Sequence, residues 1–161
     1  MNAPLVDWFE YGIPLGFENE PPRPFLQVIL ASRRRRVVAM ALLDSGSDLS
    51  LLPVGVARTL GVVPRRALGR VRVFGAVVPA GPALVDLEVP SRAGRGQFAG
   101  AEFFVPLADA GLPFVILGRN PVFEQYEVRF RDWQHRFGLV ERSRHAVRQG
   151  PTIQPGSSLP R

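Results

Sequence analysis

The chain has 161 residues, 46% of them hydrophobic, which is enough apolar material for one folded domain with a core of its own. It contains no cysteine, which excludes a disulfide scaffold, a thiol nucleophile and cysteine-based metal sites. The formal net charge of +6 would suit nucleic acid, an anionic surface or an acidic substrate, but it favours the plainer interpretation of a soluble basic protein without such a partner. The 16 glycines and 16 prolines favour many short strands joined by turns.

No signal peptide is visible, because the first residues lack both a basic start and a sustained apolar core. The longest apolar run, Val37–Leu43, is far shorter than the ~20 residues that span a bilayer. The sequence therefore predicts a cytoplasmic protein that does not bind membranes, although it could also be a fragment released from a longer precursor.

The first 22 residues form a predicted N-terminal arm, in which apolar and other residues alternate from Phe9 to Glu18. Pro14 favours an edge strand or an irregular segment there. Two β-rich runs follow, Phe25–Ala31 and Val37–Leu43, and they predict a hairpin whose tip carries four arginines. The charge pattern of this tip favours a solvated turn over a phosphate contact.

The middle of the chain predicts short strands and one brief helix. Pro53 and Gly61 flank Val54–Leu60, as expected for the start and end of a helix. Two strands, Gly69–Val78 and Ala83–Val89, are predicted to meet at a turn over Pro79–Pro82. The remaining predictions are a strand at Leu49–Leu52, a loop at Ser91–Gly96, strands at Gln97–Val105 and Leu112–Leu117, one helical turn at Asn120–Tyr126, and a last hairpin of Glu127–Arg131 and Trp133–Val140.

From about Ser143 the composition becomes polar and rich in proline, glycine and serine, which predicts a disordered basic tail over residues 143–161. The folded domain is accordingly expected over residues 23–142. With about nine strands and at most two short helices, it should be mainly β.

Two motifs carry the functional information. In Leu42–Asp48, one carboxylate, Asp44, follows an apolar run and precedes a serine and a glycine. Gly46 would allow the backbone to turn tightly beneath that carboxylate. The second motif, Val115–Asn120, is an apolar strand that ends in Gly-Arg-Asn.

In this order, in a chain of this length, the two motifs resemble those of retroviral-type aspartic proteases, the retropepsin-like family. The resemblance implies a single-lobe acid-protease fold with a closed, barrel-like β core and a flap hairpin. It also implies a homodimer, because this family contributes one catalytic aspartate per subunit, and a search for a second Asp-Ser/Thr-Gly triplet finds none. Asp109-Ala110-Gly111 comes nearest, but its alanine cannot bridge a dyad.

The same resemblance assigns roles to individual residues. Asp44, Ser45 and Gly46 would be the catalytic triplet, with the Ser45 hydroxyl bonding across the dyad to the partner subunit. Ser47 can donate to the outer oxygen of Asp44. The residues expected to support the site are Ser47, Asp48, Gly118, Arg119 and Asn120, with Asp48 and Arg119 forming a partly buried ion pair.

The resemblance places the flap at Gly69–Val89, with its tip near Pro79–Pro82. Phe74, Gly75, Val77 and Val78 are the predicted substrate-binding residues, although an ordinary strand core would explain the apolar ones equally well. The function implied is that of an aspartic endopeptidase acting on extended peptides or proteins.

Two other functions are compatible with the sequence. A non-catalytic retropepsin-fold module could dimerise or bind a partner, and a nucleic-acid-associated protein would use the arginines of the hairpin tip. The two histidines, His135 and His145, suit neither a nucleophile-elbow triad nor a metal site, so no metal or other cofactor is expected.

Overall fold

The computed structural model describes residues 6–91 and 94–142, and the predicted tail, residues 143–161, lies outside them. Within the described part the chain is mainly β, which confirms the predicted fold class. Its elements in chain order are β1 Asp7–Glu10, β2 Phe25–Ser32, β3 Arg35–Leu43, α1 Val54–Leu60, β4 Gly69–Val73, β5 Ala76–Ser91, β6 Gly94–Pro106, β7 Val115–Leu117, an irregular helical turn Arg119–Phe123, β8 Tyr126–Arg131, a 3-10 turn Asp132–Gln134 and β9 Arg136–Glu141.

The larger sheet joins six strands, with β4, β5, β2, β3 and β7 in that order and β6 paired beside β5. Leu51 pairs with Phe104 of β6 on one side and with Ile116 of β7 on the other. Its N–H and C=O each bond to Ile116, at 2.9 and 3.0 Å. This one residue therefore bridges β6 and β7, the outer strands of the series β6, β5, β2, β3 and β7. The predicted strand Leu49–Leu52 is reduced to this single bridge.

The smaller sheet has three strands in the order β1, β9, β8. Asp7–Glu10 of the N-terminal arm pairs antiparallel with Arg136–Leu139 of β9, in the same chain. The Phe9 ring stacks on Phe137, with centroids 5.2 Å apart. Asp7–Glu10 of the arm are thus held to the folded body by a strand ladder and an aromatic contact.

The buried apolar side chains form two separate clusters, because successive side chains of a strand point to opposite faces of the sheet. The larger one contains side chains from one face of β2 and β3, together with α1 and the interior of β5, β6 and β9. The smaller cluster lies on the opposite face. It contains Phe25, Leu51, Val71, Val73, Ala80, Leu112, Phe114 and Ile116.

The hairpin β2–β3 confirms one prediction and revises its detail, because only Arg33 and Arg34 form the turn. Arg35 donates to the carbonyls of Arg58 and Thr59, at 3.4 and 3.1 Å, at the C-terminal end of α1. A cation there balances the negative end of the helix dipole.

Arg36 forms a two-oxygen ion pair with Glu88 of β5, at 2.8 and 2.9 Å. Two of the four arginines therefore have contacts within the fold, and the tip is more than a solvated turn.

Helix α1 has the predicted bounds, and Gly61 ends it in a left-handed conformation with φ 72°. None of the helices in residues 6–91 and 94–142 combines the length and the apolarity needed to cross a bilayer.

Three other strands have bounds that differ from the predicted ones. β7 is limited to Val115–Leu117, β6 begins at Gly94 within the predicted loop, and β9 begins at Arg136 because Asp132–Gln134 forms a helical turn.

Candidate active site

The fold brings the two sequence motifs together through strands β3 and β7, which run parallel. Leu43 lies opposite Leu117, so both strands end at the same edge of the sheet. The Asp44 N–H donates to the Leu117 carbonyl at 3.0 Å. Residues 44–50, here called the Asp44 loop, therefore start directly beside Gly118.

Asp44 is half-buried and begins a tight turn. The Gly46 N–H donates to Asp44 Oδ1 at 2.9 Å, and the Ser47 N–H donates to the Asp44 carbonyl at 3.2 Å. In the described part of the chain, Gly46 is the one hydrogen-bond donor to this carboxylate. The other carboxylate oxygen remains available to a water molecule or to a second carboxyl group.

Ser47 bonds differently from the sequence-based expectation. Its hydroxyl donates to the Leu49 carbonyl at 2.6 Å rather than to Asp44. Because a hydroxyl has one proton, the predicted donation to the outer oxygen of Asp44 is not made in this arrangement. The Ser47 hydroxyl instead fixes the curvature of the Asp44 loop. Ser45, the neighbouring hydroxyl residue of the predicted triplet, is exposed.

Arg119 holds the Asp44 loop at three points. Its backbone N–H donates to the Ser47 carbonyl at 2.8 Å, its Nε donates to the Ser45 carbonyl at 3.2 Å, and its guanidinium lies 3.1 Å from Asp48 Oδ1. The predicted pairing with Asp48 is therefore present. It is not partly buried, since the two side chains are 65% and 81% exposed in the single chain.

Gly118 allows the close approach of these two segments. A Cβ atom at this position would lie 2.4 Å from the Leu49 carbonyl oxygen and 2.7 Å from that of Ser47. Both are backbone atoms, which cannot move aside as the end of a flexible side chain can. The glycine is therefore required by packing, and its extended backbone (φ −81°, ψ −166°) makes no demand of its own.

Ser50 is a supporting residue that the sequence reasoning did not identify. It is only 2% exposed, and its hydroxyl accepts from the Gly118 N–H at 3.1 Å and donates to the Asn120 carbonyl at 2.5 Å. Asn120, predicted as a support residue, takes part here through its backbone. The available signal was a hydroxyl residue within the apolar run Leu49–Leu52, where a buried polar group needs a partner.

The flap hairpin is present as β4 and β5, but its tip differs from the prediction. The turn consists of Phe74 and Gly75, with φ 46° and 87°, whereas Pro79 and Pro82 lie inside β5. Positive φ at both residues is the turn geometry that matches the twist of a two-residue hairpin.

The predicted substrate-binding residues occupy this hairpin. Phe74 is 68% and Val77 43% exposed, whereas Val78 is half-buried and packs against the smaller apolar cluster. The Phe74 ring lies 6.4 Å from that of Phe114, the residue before β7. Phe74 therefore contacts the residue that precedes β7, the strand that ends beside Gly118.

Two other groups lie away from this site. His135 follows the 3-10 turn and stacks on Tyr11, with centroids 6.1 Å apart, and His145 lies outside the described residues.

Burial, together with the hydrogen bond and charge of Asp132, raises the pKa of Tyr11 to about 12. Across residues 6–91 and 94–142, no group of three His, Cys, Asp or Glu side chains could hold a metal ion.

Comparisons with known proteins agree with this architecture. No protein-family model and no curated protein matches the sequence. Among solved structures, a retropepsin-like aspartic protease from Rickettsia conorii is similar, with a TM-score of 0.55 and 15% identity over 85% of this chain and 92% of that one. The protease of EIAV, solved with the inhibitor HBY-793, matches with a TM-score of 0.47 and 18% identity over 70% of this chain and 93% of that one. The similarity to the Rickettsia conorii structure shows that the chain has a retropepsin-like fold.

Proposed function

We propose that this chain is an aspartic endopeptidase that acts as a homodimer, with Asp44 from each of two copies forming the catalytic dyad. The observation that supports this most directly is the placement of Asp44. It is half-buried at the end of β3, on a loop held by Gly118 and Arg119, with one carboxylate oxygen bonded to Gly46. The rigid support is what a reacting carboxylate needs, because small displacements are costly in catalysis.

The proposal requires two copies because the chemistry needs two carboxylates that face one water molecule. The other acidic residue of the Asp44 loop, Asp48, is paired with Arg119 and is 81% exposed. A two-fold axis beside Asp44 would supply the second carboxylate from an identical residue. The exposed Ser45 hydroxyl would then face the partner subunit.

In the proposed reaction, two neighbouring carboxylates share one proton because both cannot ionise easily at such short range. The ionised carboxylate accepts a proton from the water, whose oxygen attacks the peptide carbonyl carbon. The protonated carboxyl donates its proton to the carbonyl oxygen. As the carbon–nitrogen bond breaks, the carboxyl that took the water proton donates it to the leaving nitrogen, and the other carboxylate accepts a proton from a hydroxyl of the tetrahedral intermediate.

The substrate in this proposal is an extended peptide or a segment of a protein. It would lie between the Asp44 loop and the flap tip, Phe74–Gly75, and would bind by backbone hydrogen bonds in β form. Gly75, Val77 and Val78 would line the flap side of the cleft. A cytoplasmic location and the absence of a nucleic-acid partner remain predictions from the sequence.

The experiment measures cleavage of a diverse peptide library from pH 3 to 8 by the wild-type chain and by Asp44→Asn. Asp109→Asn is a matched control, because Asp109 Oδ1 accepts the Gly111 N–H at 3.0 Å in the same local geometry as Asp44 and Gly46. We expect cleavage to be lost in Asp44→Asn and retained in Asp109→Asn, with specific activity that rises with protein concentration.

Cleavage that persists in a purified Asp44→Asn variant would contradict the proposed dyad. A folded, dimeric wild-type chain that cleaves no peptide of the library would instead favour the alternative, a non-catalytic module that binds a partner in the same cleft. The conservative replacement keeps the size of the side chain, so circular dichroism of the variant should match that of the wild type.

A further inference from the structure

Three aromatic residues from separate parts of the chain surround Phe114. The Phe114 centroid lies 4.8 Å from Phe25, 5.8 Å from Phe17 and 6.4 Å from Phe74, each in an edge-to-face arrangement. Such pairs add favourable energy beyond the area that they bury. Phe17 belongs to the N-terminal arm, which the catalytic proposal does not use.

This aromatic cluster lies on β2 and just before β7, the two strands that flank β3, and β3 ends at Asp44. Phe25 pairs with Leu42, two residues before Asp44, and Phe114 directly precedes β7, whose end contacts the Asp44 loop. Phe74, at the tip of the flap, brings the flap into contact with this cluster. The arm therefore reaches the region between the flap tip and the strand ends, where the substrate is proposed to lie.

An open cavity of about 420 Å³ adjoins the aromatic cluster, within the size range of small-ligand sites. Four of its lining residues, Pro14, Phe17, Glu20 and Pro21, come from the arm. Glu20 forms an ion pair at 2.9 Å with Arg23, which also lines the cavity. Their charges are therefore paired, and most of the remaining lining is aromatic or proline. The chemistry of this cavity suits an uncharged, bulky apolar group.

We propose that residues 14–22 of the arm form one wall of a substrate subsite that selects a large apolar side chain, aromatic above all. The inference rests on the proposed peptidase function and adds a specificity determinant to it. Phe17 packs edge-to-face on Phe114, so a bound aromatic side chain would lie beside rings from the arm, the flap tip and the residue before β7. A small or charged side chain would leave these contacts unmade.

The test compares the cleavage preferences of the wild type, Phe17→Ala and Phe17→Trp with a positional-scanning peptide library. Leu15→Ala is the matched control, because Leu15 belongs to the same segment, is 95% exposed and does not line the cavity. We expect Phe17→Ala to lower the ratio of phenylalanine to alanine cleavage at one peptide position by about tenfold or more. Phe17→Trp should lower the same ratio by filling the cavity, and Leu15→Ala should keep it at the wild-type value.

A ratio that is unchanged at every position in both Phe17 variants would overturn the proposed subsite. An equal change in Leu15→Ala would also overturn it, since the arm would then act through general stability. The affinity of the same peptides for Asp44→Asn, alone and combined with Phe17→Ala, separates the two proposals. A Phe17-dependent preference for aromatic peptides in that binding assay, without cleavage by the wild type, would refute the peptidase but keep the subsite.

Discussion

Gly118 is the residue at which the packing of the Asp44 loop can be tested most sharply, by the change Gly118→Ala. The added Cβ would lie 2.4, 2.6 and 2.7 Å from backbone atoms of Leu49 and Ser47. The backbone angles at Gly118 are ordinary for alanine, so the whole effect must come from overlap. Overpacking of this kind costs about 1–3 kcal/mol of unfolding free energy.

The overlap has a second consequence at Ser50. Pushing Gly118 away from the Asp44 loop lengthens the 3.1 Å bond from its N–H to the buried Ser50 hydroxyl, which costs about 0.5–1.5 kcal/mol. The total expected for Gly118→Ala is about 1.5–4.5 kcal/mol, which corresponds to a loss of roughly 3–18 °C in Tm for a domain of this size.

Urea denaturation followed by circular dichroism measures this loss directly. Gly55→Ala is the matched control, because no atom lies within 4 Å of a Cβ placed at this exposed helical position. Alanine is the better helix former by about 0.5–1 kcal/mol, so this control should be as stable as the wild type or more stable. If Gly118→Ala had the unfolding midpoint of the wild type, the close approach of the two segments would be refuted.

Two further changes test the support of the loop and the pH dependence of stability. Arg119→Ala should lower both the unfolding midpoint and the dimer association constant, because it removes the side-chain contacts of Arg119 with the Asp44 loop. Arg129→Ala, which removes an exposed ion pair with Glu127, is the control and should change neither quantity. Equal values for the two variants would refute the support role of Arg119. Burial and the neighbouring Asp132 raise the pKa of Tyr11 from 10.0 to about 12, so its contribution is complete below pH 10 and is lost as the pH rises toward 12. Tyr11→Phe should lose less stability than the wild type between pH 9 and 12 in urea titrations, and an identical loss would contradict the assignment.

Local sequence signals predicted the helix and the hairpins where the chemistry of turns decides the structure. Pro53 and Gly61 set the bounds of α1 because proline fits the start of a helix and glycine fits a left-handed end. The parallel pairing of β3 with β7 could be inferred only through the family resemblance, since no local signal joins strands so far apart in the chain.

The flap tip was misplaced because prolines usually mark turns. Pro79 lies opposite Arg70 of β4, and Pro82 lies opposite Phe104 of β6, on either side of the point where β5 changes its partner. At such a point one edge of the strand has no ladder to disrupt, so a residue without an N–H is tolerated. Phe74 gave no turn signal, because a phenylalanine with positive φ is uncommon.

Some parts of the candidate site could likewise be predicted from the sequence, and others could not. The two motifs identified Asp44, Gly118 and Arg119, whereas Ser50 and the Leu49 acceptor of the Ser47 hydroxyl depend on the path of the loop. Ser50 is buried because its neighbour Leu51 pairs with both β6 and β7, and these strands lie more than 40 residues later in the chain. Sequence patterns alone therefore cannot assign such hydroxyl partners.

A subunit-mixing experiment tests the proposed shared dyad most directly. Wild-type chain and Asp44→Asn are mixed in equal amounts at constant total concentration, allowed to exchange subunits, and assayed for peptide cleavage. Because only dimers with two Asp44 carboxylates would be active, the mixture should retain about a quarter of the activity of the all-wild-type sample. Retention of about half would mean that each chain acts alone, which contradicts a dyad formed by two copies.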